Sequence, residues 1–206
     1  MGLYRDHLLP VLIDRTCGGA AFTPMRRSLA APLSGTILEL GFGSGLNLAH
    51  YPDTVAQVLA VEPSDRAFQL AQPRIAARGL RVERVGLDGQ HLALEDQSVD
   101  GAMCTFVLCT IPDANKALRE LARVLRPGAP LQLLEHGRAP EPSIARWQQR
   151  LDPLQRRLAD GCQLSRDPLA LLKAAGFELT EVHQRYLSPR SPFTFLTTAT
   201  ALAPHR

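Results

Sequence analysis

The chain has 206 residues, 45% of them hydrophobic and 21% charged, with a formal charge of +3. This is enough chain for one soluble domain with a real core, and too mild a charge to favour nucleic acid or an anionic membrane surface. No apolar run approaches the roughly 20 residues that cross a bilayer, and "LLPVLI" (8–13) is too short for a signal-peptide core.

In chain order, residues 1–35 read as a helical N-terminal cover broken by "CGGA". Residues 36–135 alternate apolar runs with helical patterns. "TILEL" (36–40), "QVLAVE" (57–62), "RVERV" (81–85), "VDGAMCTF" (99–106) and "PLQLLE" (130–135) have the aliphatic content of buried parallel strands. Between them, a helix capped by Ser64 and Asp65 stops at Gly79, with Pro73 expected to kink or divide it. A second helix is capped by Asp113, buries Leu118, Leu121, Val124 and Leu125, and ends at Pro127-Gly128.

Residues 136–167 read as an insertion or lid over the strand ends, and 168–206 as a helix followed by an antiparallel strand pair. The sum is a single α/β domain. Its sheet is doubly wound, mostly parallel and seven-stranded, with helices on both faces. The four cysteines, Cys17, Cys104, Cys109 and Cys162, show no metal-ligand spacing, so no metal site is expected and all four read as reduced cytoplasmic thiols.

The stretch "LELGFGSGLN" (38–47) places Gly41, Gly43 and Gly45 at alternate positions behind the first strand and is expected to open a helix. Loop amides and a helix N-terminus there would face the crevice where ligands bind in open α/β sheets. The spacing is not the dinucleotide fingerprint G-x-G-x-x-G, because position 46 is Leu, which disfavours a nicotinamide-dependent dehydrogenase. Glu62 ends the second strand, where a carboxylate suits a ribose diol. Asp88, in "GLDGQ", either accepts from a base amine or forms an Asp-Gly turn.

Together "ELGFGSG", "VEPS", "GLDGQ…DQSVD" and "LRPG" resemble the motif series of class I S-adenosylmethionine-dependent methyltransferases. The resemblance implies a Rossmann-like fold with S-adenosylmethionine as cofactor and S-adenosylhomocysteine as product. Glu39, Gly41, Gly43 and Gly45 would then shape the methionine and ribose side, Glu62 would hold the ribose, and Asp88, Gly89 and Gln90 the adenine, with Ser44, Asn47, Pro63 and Thr105 also in the cofactor-binding set. More narrowly, "CTFVLCTI", "LLEHGR" and "WQQRLDPLQRRLADGCQLSRD" are similar to the methyltransferase-like seven group, which is associated with alkyl-thiol methylation. This sequence shows no counterpart of the apolar N-terminal membrane segment of the animal members. A cytoplasmic enzyme acting on a small-molecule acceptor is expected, with no integral membrane segment.

Methyl transfer from a sulfonium needs alignment and water exclusion rather than covalent help. A thiol acceptor must also lose its proton, and His136, at the end of the fifth strand, is the candidate base; a structural histidine is the alternative. Trp147 could close a lid, although Trp147, Leu151, Leu154 and Leu158 at helical spacing fit a packing stripe better. Competing readings are a quinone precursor or amino phospholipid as acceptor, or a non-catalytic S-adenosylmethionine-binding protein.

Overall fold

The structure is a computed structural model that describes residues 2–189 and 191–205. Its strands are β1 (Gly35–Leu40), β2 (Val55–Val61), β3 (Arg81–Gly86), β4 (Gly101–Thr105), β5 (Pro130–His136), β6 (Glu178–Tyr186) and β7 (Phe195–Leu202). They form one sheet in the order β3-β2-β1-β4-β5-β7-β6, with only the pairings of β7 antiparallel. The α-helices are α1 (Leu9–Cys17), α2 (Thr23–Ala30), α3 (Asp65–Arg78), α4 (Ala114–Val124), α5 (Pro142–Leu158) and α6 (Pro168–Ala174).

Alternation along β1 sends Ile37 to one face and Leu38 and Leu40 to the other, so the sheet needs cover on both sides. Met25, Leu29 and Ala71 bring α2 and α3 onto the Ile37 side, and Leu118, Leu121 and Leu172 bring α4 and α6 onto the other. On α4, Leu118, Leu121 and Val124 are fully buried. Each contributes about 1.5–3 kcal/mol of hydrophobic burial. The expected caps are present: Ser64 Oγ accepts from Ala67 N at 3.1 Å, and Asp113 Oδ1 from Lys116 N at 2.9 Å. Gly79, at φ +65°, ends α3.

Three expectations are corrected. First, α3 is not divided at Pro73 but continues to Arg78. Pro73 and Gln69, whose carbonyl loses its partner, are both exposed, so water satisfies the freed group. Second, the glycine loop opens no α-helix. Only a 3-10 turn, Leu48–His50, fits before β2 begins at Val55, so any ligand there meets loop amides rather than a helix terminus.

Third, the apolar stripe of α5 does not pack: Trp147, Leu154 and Leu158 are each more than half exposed. The buried side is instead Ala145, Gln148 and Asp152. Gln148 donates to the carbonyls of Gly137 and Pro192 at 2.9 Å each and accepts from Ala139 N at 2.8 Å. Asp152 Oδ1 accepts from Leu164 N at 2.6 Å. Hydrogen bonds hold this helix, and hydrophobic periodicity is blind to them. Among the described residues no helix is long and apolar enough to cross a membrane.

Candidate active site

From β1 the chain steps one way to β2 and β3 and the other way to β4 and β5. The crevice at such a switch point, over the carboxyl ends of the strands, is where open α/β sheets bind ligands. A cavity of about 550 Å³ lies there, within the usual range for small-molecule sites. Eleven of the twelve residues expected to touch the cofactor line it; Gly45 does not.

The glycines have different reasons to be glycine. All three have positive φ: +69° at Gly41, +57° at Gly43 and +74° at Gly45. A Cβ on Gly41 would lie 2.4 Å from Val107 Cγ2, and one on Gly45 would lie 2.8 Å from Leu48 Cδ1. Those two are demanded by packing. At Gly43 a Cβ would meet nothing nearer than Gly41 O at 3.9 Å, so its open side belongs to the cavity.

Glu62 stands at the end of β2, 7% exposed. Its Oε2 accepts from Gly43 N at 2.7 Å and its Oε1 from Ser64 N at 2.8 Å. Burial pushes its pKa up, opposed by these two backbone bonds. Each carboxylate oxygen has a second lone-pair direction, so both can still accept from a ligand hydroxyl. On the other flank, Asp88 Oδ1 accepts from the backbone and the side-chain amide of Gln90 at 2.9 and 3.0 Å, bonds that hold its pKa down. Asp88 therefore forms the turn, and that turn places Asp88, Gly89 and Gln90 on the cavity wall.

Beneath the loop is a buried polar network. Glu39 accepts from Asn47 Nδ2 at 2.8 Å and from Tyr51 Oη at 2.6 Å. Arg26, 4% exposed, donates to Asn47 Oδ1, to Thr105 Oγ1 at 3.2 Å and to the Cys17 carbonyl at 3.2 Å. Arg26 was not among the sequence candidates, yet it is a cation on the cavity wall. Burial lowers its pKa, an effect opposed by the charge of Glu39.

Burial pushes Glu39 up to about 7, against hydrogen bonds from Tyr51 and Asn47 and the charge of Arg26. Between the ordinary value of 4.5 and that value, the folded chain binds this proton more tightly than the unfolded chain does. The contribution of Glu39 is therefore fully present below 4.5, is lost as pH rises to about 7, and is level above. Thermal unfolding in a pH series should show that decline, and Glu39→Gln should flatten it. An unchanged slope in the variant would assign the decline to other groups.

The covers are tied down by specific bonds. Asp14 of α1 accepts from Ser44 Oγ at 2.6 Å and pairs with Arg74 at 2.9 Å, clasping α1 to the glycine loop. Tyr4 donates to the Leu158 carbonyl at 2.8 Å, and Arg5 pairs with Asp160, joining the N-terminal segment to the end of α5. Of the proposed lid, Arg156, Arg157, Asp160 and Gly161 line the cavity and Trp147 does not. His136 is also absent from the lining; its Nε2 lies 3.1 Å from Cys162 Sγ. A general base must reach the proton that it removes, and the cavity wall does not include His136.

A family profile described as "Methyltransferase domain" matches residues 38–133, the span that carries the glycine loop, Glu62 and Asp88. The chain is 36% identical over 165 residues to thiol S-methyltransferase TMT1B of Rattus norvegicus. That match covers 78% of this chain and 66% of the rat protein, a little under two thirds of the relative's length. It is 26% identical to phosphatidylethanolamine N-methyltransferase of Cereibacter sphaeroides, over 90% of this chain and 91% of that one. Among solved structures, an S-adenosylmethionine-dependent methyltransferase from Mesorhizobium loti shares the fold, with a TM-score of 0.66, 17% identity, and coverage of 89% and 98%.

Proposed function

We infer that this chain, which belongs to the class I S-adenosylmethionine-dependent methyltransferases, transfers a methyl group to the sulfur of a small apolar thiol. The cofactor, when bound, supplies a methyl group already activated by its sulfonium. The residues fit such a molecule: Gly43 is open to the cavity, Glu62 keeps acceptor capacity for a diol, and Arg26 offers a cation to a carboxylate. The chain's work is then to bind, orient and exclude water. The Tyr4–Leu158 and Arg5–Asp160 contacts join the two covers beside the cavity.

The observation that carries the thiol reading is the rest of the wall. Leu9, Pro10, Ile13, Phe106, Ile111 and Pro112 give it an apolar character suited to an alkyl thiol. The name of the rat relative supports the same acceptor class. On this reading the acceptor thiol ionises by its own acidity and no side chain is assigned as its base. The rate should rise about tenfold per pH unit up to the acceptor's pKa, near 8.5 for a cysteine-like thiol, and the bend should move with the thiol chosen. A bend near 6.5 that stays fixed across thiols of different acidity would reveal a protein base.

A second reading, an amino phospholipid acceptor, is favoured by Arg5, Arg156 and Arg157 on the cavity lining, which suit a phosphate, and by the bacterial lipid methyltransferase relative. Calorimetric titration with S-adenosylhomocysteine, followed by methyl transfer to a panel of alkyl thiols, a quinone precursor and phosphatidylethanolamine vesicles, separates these readings. Binding with thiol turnover is expected. Turnover only on vesicles or quinone overturns the thiol assignment. Binding with no turnover on any of them points to a non-catalytic S-adenosylmethionine-binding protein.

A further inference from the structure

Outside the cavity lining, three groups that methyl transfer does not use converge from three elements. Cys109 lies in the loop after β4, His136 ends β5, and Cys162 sits in the turn after α5. Their donor atoms all lie within 4.8 Å of one another. Cys109 is 3% and Cys162 5% exposed. A backbone bond from Gln163 N to the Cys109 carbonyl, 3.0 Å, holds the two cysteine segments side by side.

We infer that Cys109, His136 and Cys162 form a binding site for a thiophilic divalent cation of the zinc type. Two thiolates and an imidazole are a borderline-soft donor set that selects zinc-like ions over magnesium or calcium. With Zn–S of about 2.3 Å and Zn–N of about 2.0 Å, a tetrahedral ion sets its donors roughly 3.5–3.8 Å apart. The observed 3.1 Å between His136 Nε2 and Cys162 Sγ, and the 4.8 Å limit on the whole set, bracket that spacing. Small side-chain adjustments suffice. The two thiolates balance the ion's charge. Nδ1 of His136 has no hydrogen-bond partner, and the ring's one contact, Nε2 to Cys162 Sγ at 3.1 Å, already points into the cluster that the ion would occupy.

The position of the site gives the ion a structural consequence. Cys162 follows directly on Asp160 and Gly161, and Thr110 follows Cys109; all three of these neighbours line the cavity. A cation here pins the end of the α5 cover to the rim of the sheet. The inference does not depend on the methyl-transfer reading, because its test reads metal directly.

The reduced chain, stripped with a chelator, is titrated with Cd²⁺ and then with Zn²⁺. A stoichiometric thiolate-to-cadmium charge-transfer band in the ultraviolet is expected, reversed by excess Zn²⁺, and Zn²⁺ should raise the unfolding temperature of the wild-type chain. Cys109→Ser and Cys162→Ser should each lose the band or weaken binding by at least about 10–100-fold, while Cys17→Ser binds normally. The wild-type measurements stand even where a variant fails to fold. A wild-type chain that shows neither band nor stabilisation, or a band that survives in the Cys109→Ser/Cys162→Ser double variant, overturns the site. So does a reduced chain that takes no metal but readily forms a Cys109–Cys162 disulfide, which would make the pair a redox couple.

Discussion

Gly43→Ala is expected to leave the fold standing while weakening S-adenosylhomocysteine binding by about 1–3 kcal/mol, or 5–150-fold, the cost of overfilling a packed contact. The new methyl group meets no protein atom nearer than 3.9 Å, on a residue that lines the cavity. The residue's φ of +57° adds backbone strain of about 1–2 kcal/mol, which lowers stability without unfolding a typical domain. Gly41→Ala should behave in the opposite way. Its Cβ would sit 2.4 Å from Val107 Cγ2, and the loop holding Val107 is pinned by bonds from Val107 N and Leu108 N to Glu135 at 2.6 and 2.7 Å. That variant should lose about 2–5 kcal/mol of stability, the strain and overpacking terms together. Chemical denaturation and calorimetry on both variants decide the matter. If Gly43→Ala binds like the wild type, the open side of Gly43 is not where the cofactor lies.

The same contrast explains what the sequence could and could not disclose. Strands and helices were legible because their signals are local: aliphatic runs, the Ser64 and Asp113 caps, and Gly79 as a stop. The residues of the cavity wall were legible because the loop, Glu62 and Asp88 each follow a strand that the aliphatic pattern locates. Gly45 stands off the cavity wall, and alternation alone does not reveal that its neighbours are Leu48 and Ala71.

Arg26 left a faint signal. It shares a helix face with Met25, Leu29 and Ala30, a charge on an apolar stripe, and such a charge needs partners like Asn47 and Thr105. The Cys109–His136–Cys162 cluster left none, since spacing rules read ligands close together in sequence and these come from three separate elements. For α5 the hydrophobic pattern pointed the wrong way, because Gln148 and Asp152 anchor it by satisfying backbone groups of Gly137, Ala139 and Leu164.

Glu62→Ala should weaken S-adenosylhomocysteine binding by about 1–3 kcal/mol, or 5–150-fold, the scale of a lost charge-assisted hydrogen bond. Two losses combine. The ligand's ribose hydroxyls lose an acceptor, and the amides of Gly43 and Ser64 lose the carboxylate that now holds both of them. The second loss loosens the loop itself, so a lower unfolding temperature should accompany the weaker binding. Glu62→Gln separates the two. Its amide oxygen can still accept from one backbone N–H, so stability should recover in part, while the NH₂ group cannot accept from a hydroxyl and affinity should stay low. Arg84, which donates to the Glu62 carbonyl at 2.9 and 2.7 Å, holds the backbone in place in all three proteins. An affinity that follows stability through the series would make Glu62 a brace for the loop rather than a ligand contact. Affinity lost in both variants, with stability restored only in Glu62→Gln, would identify the carboxylate as the ribose acceptor.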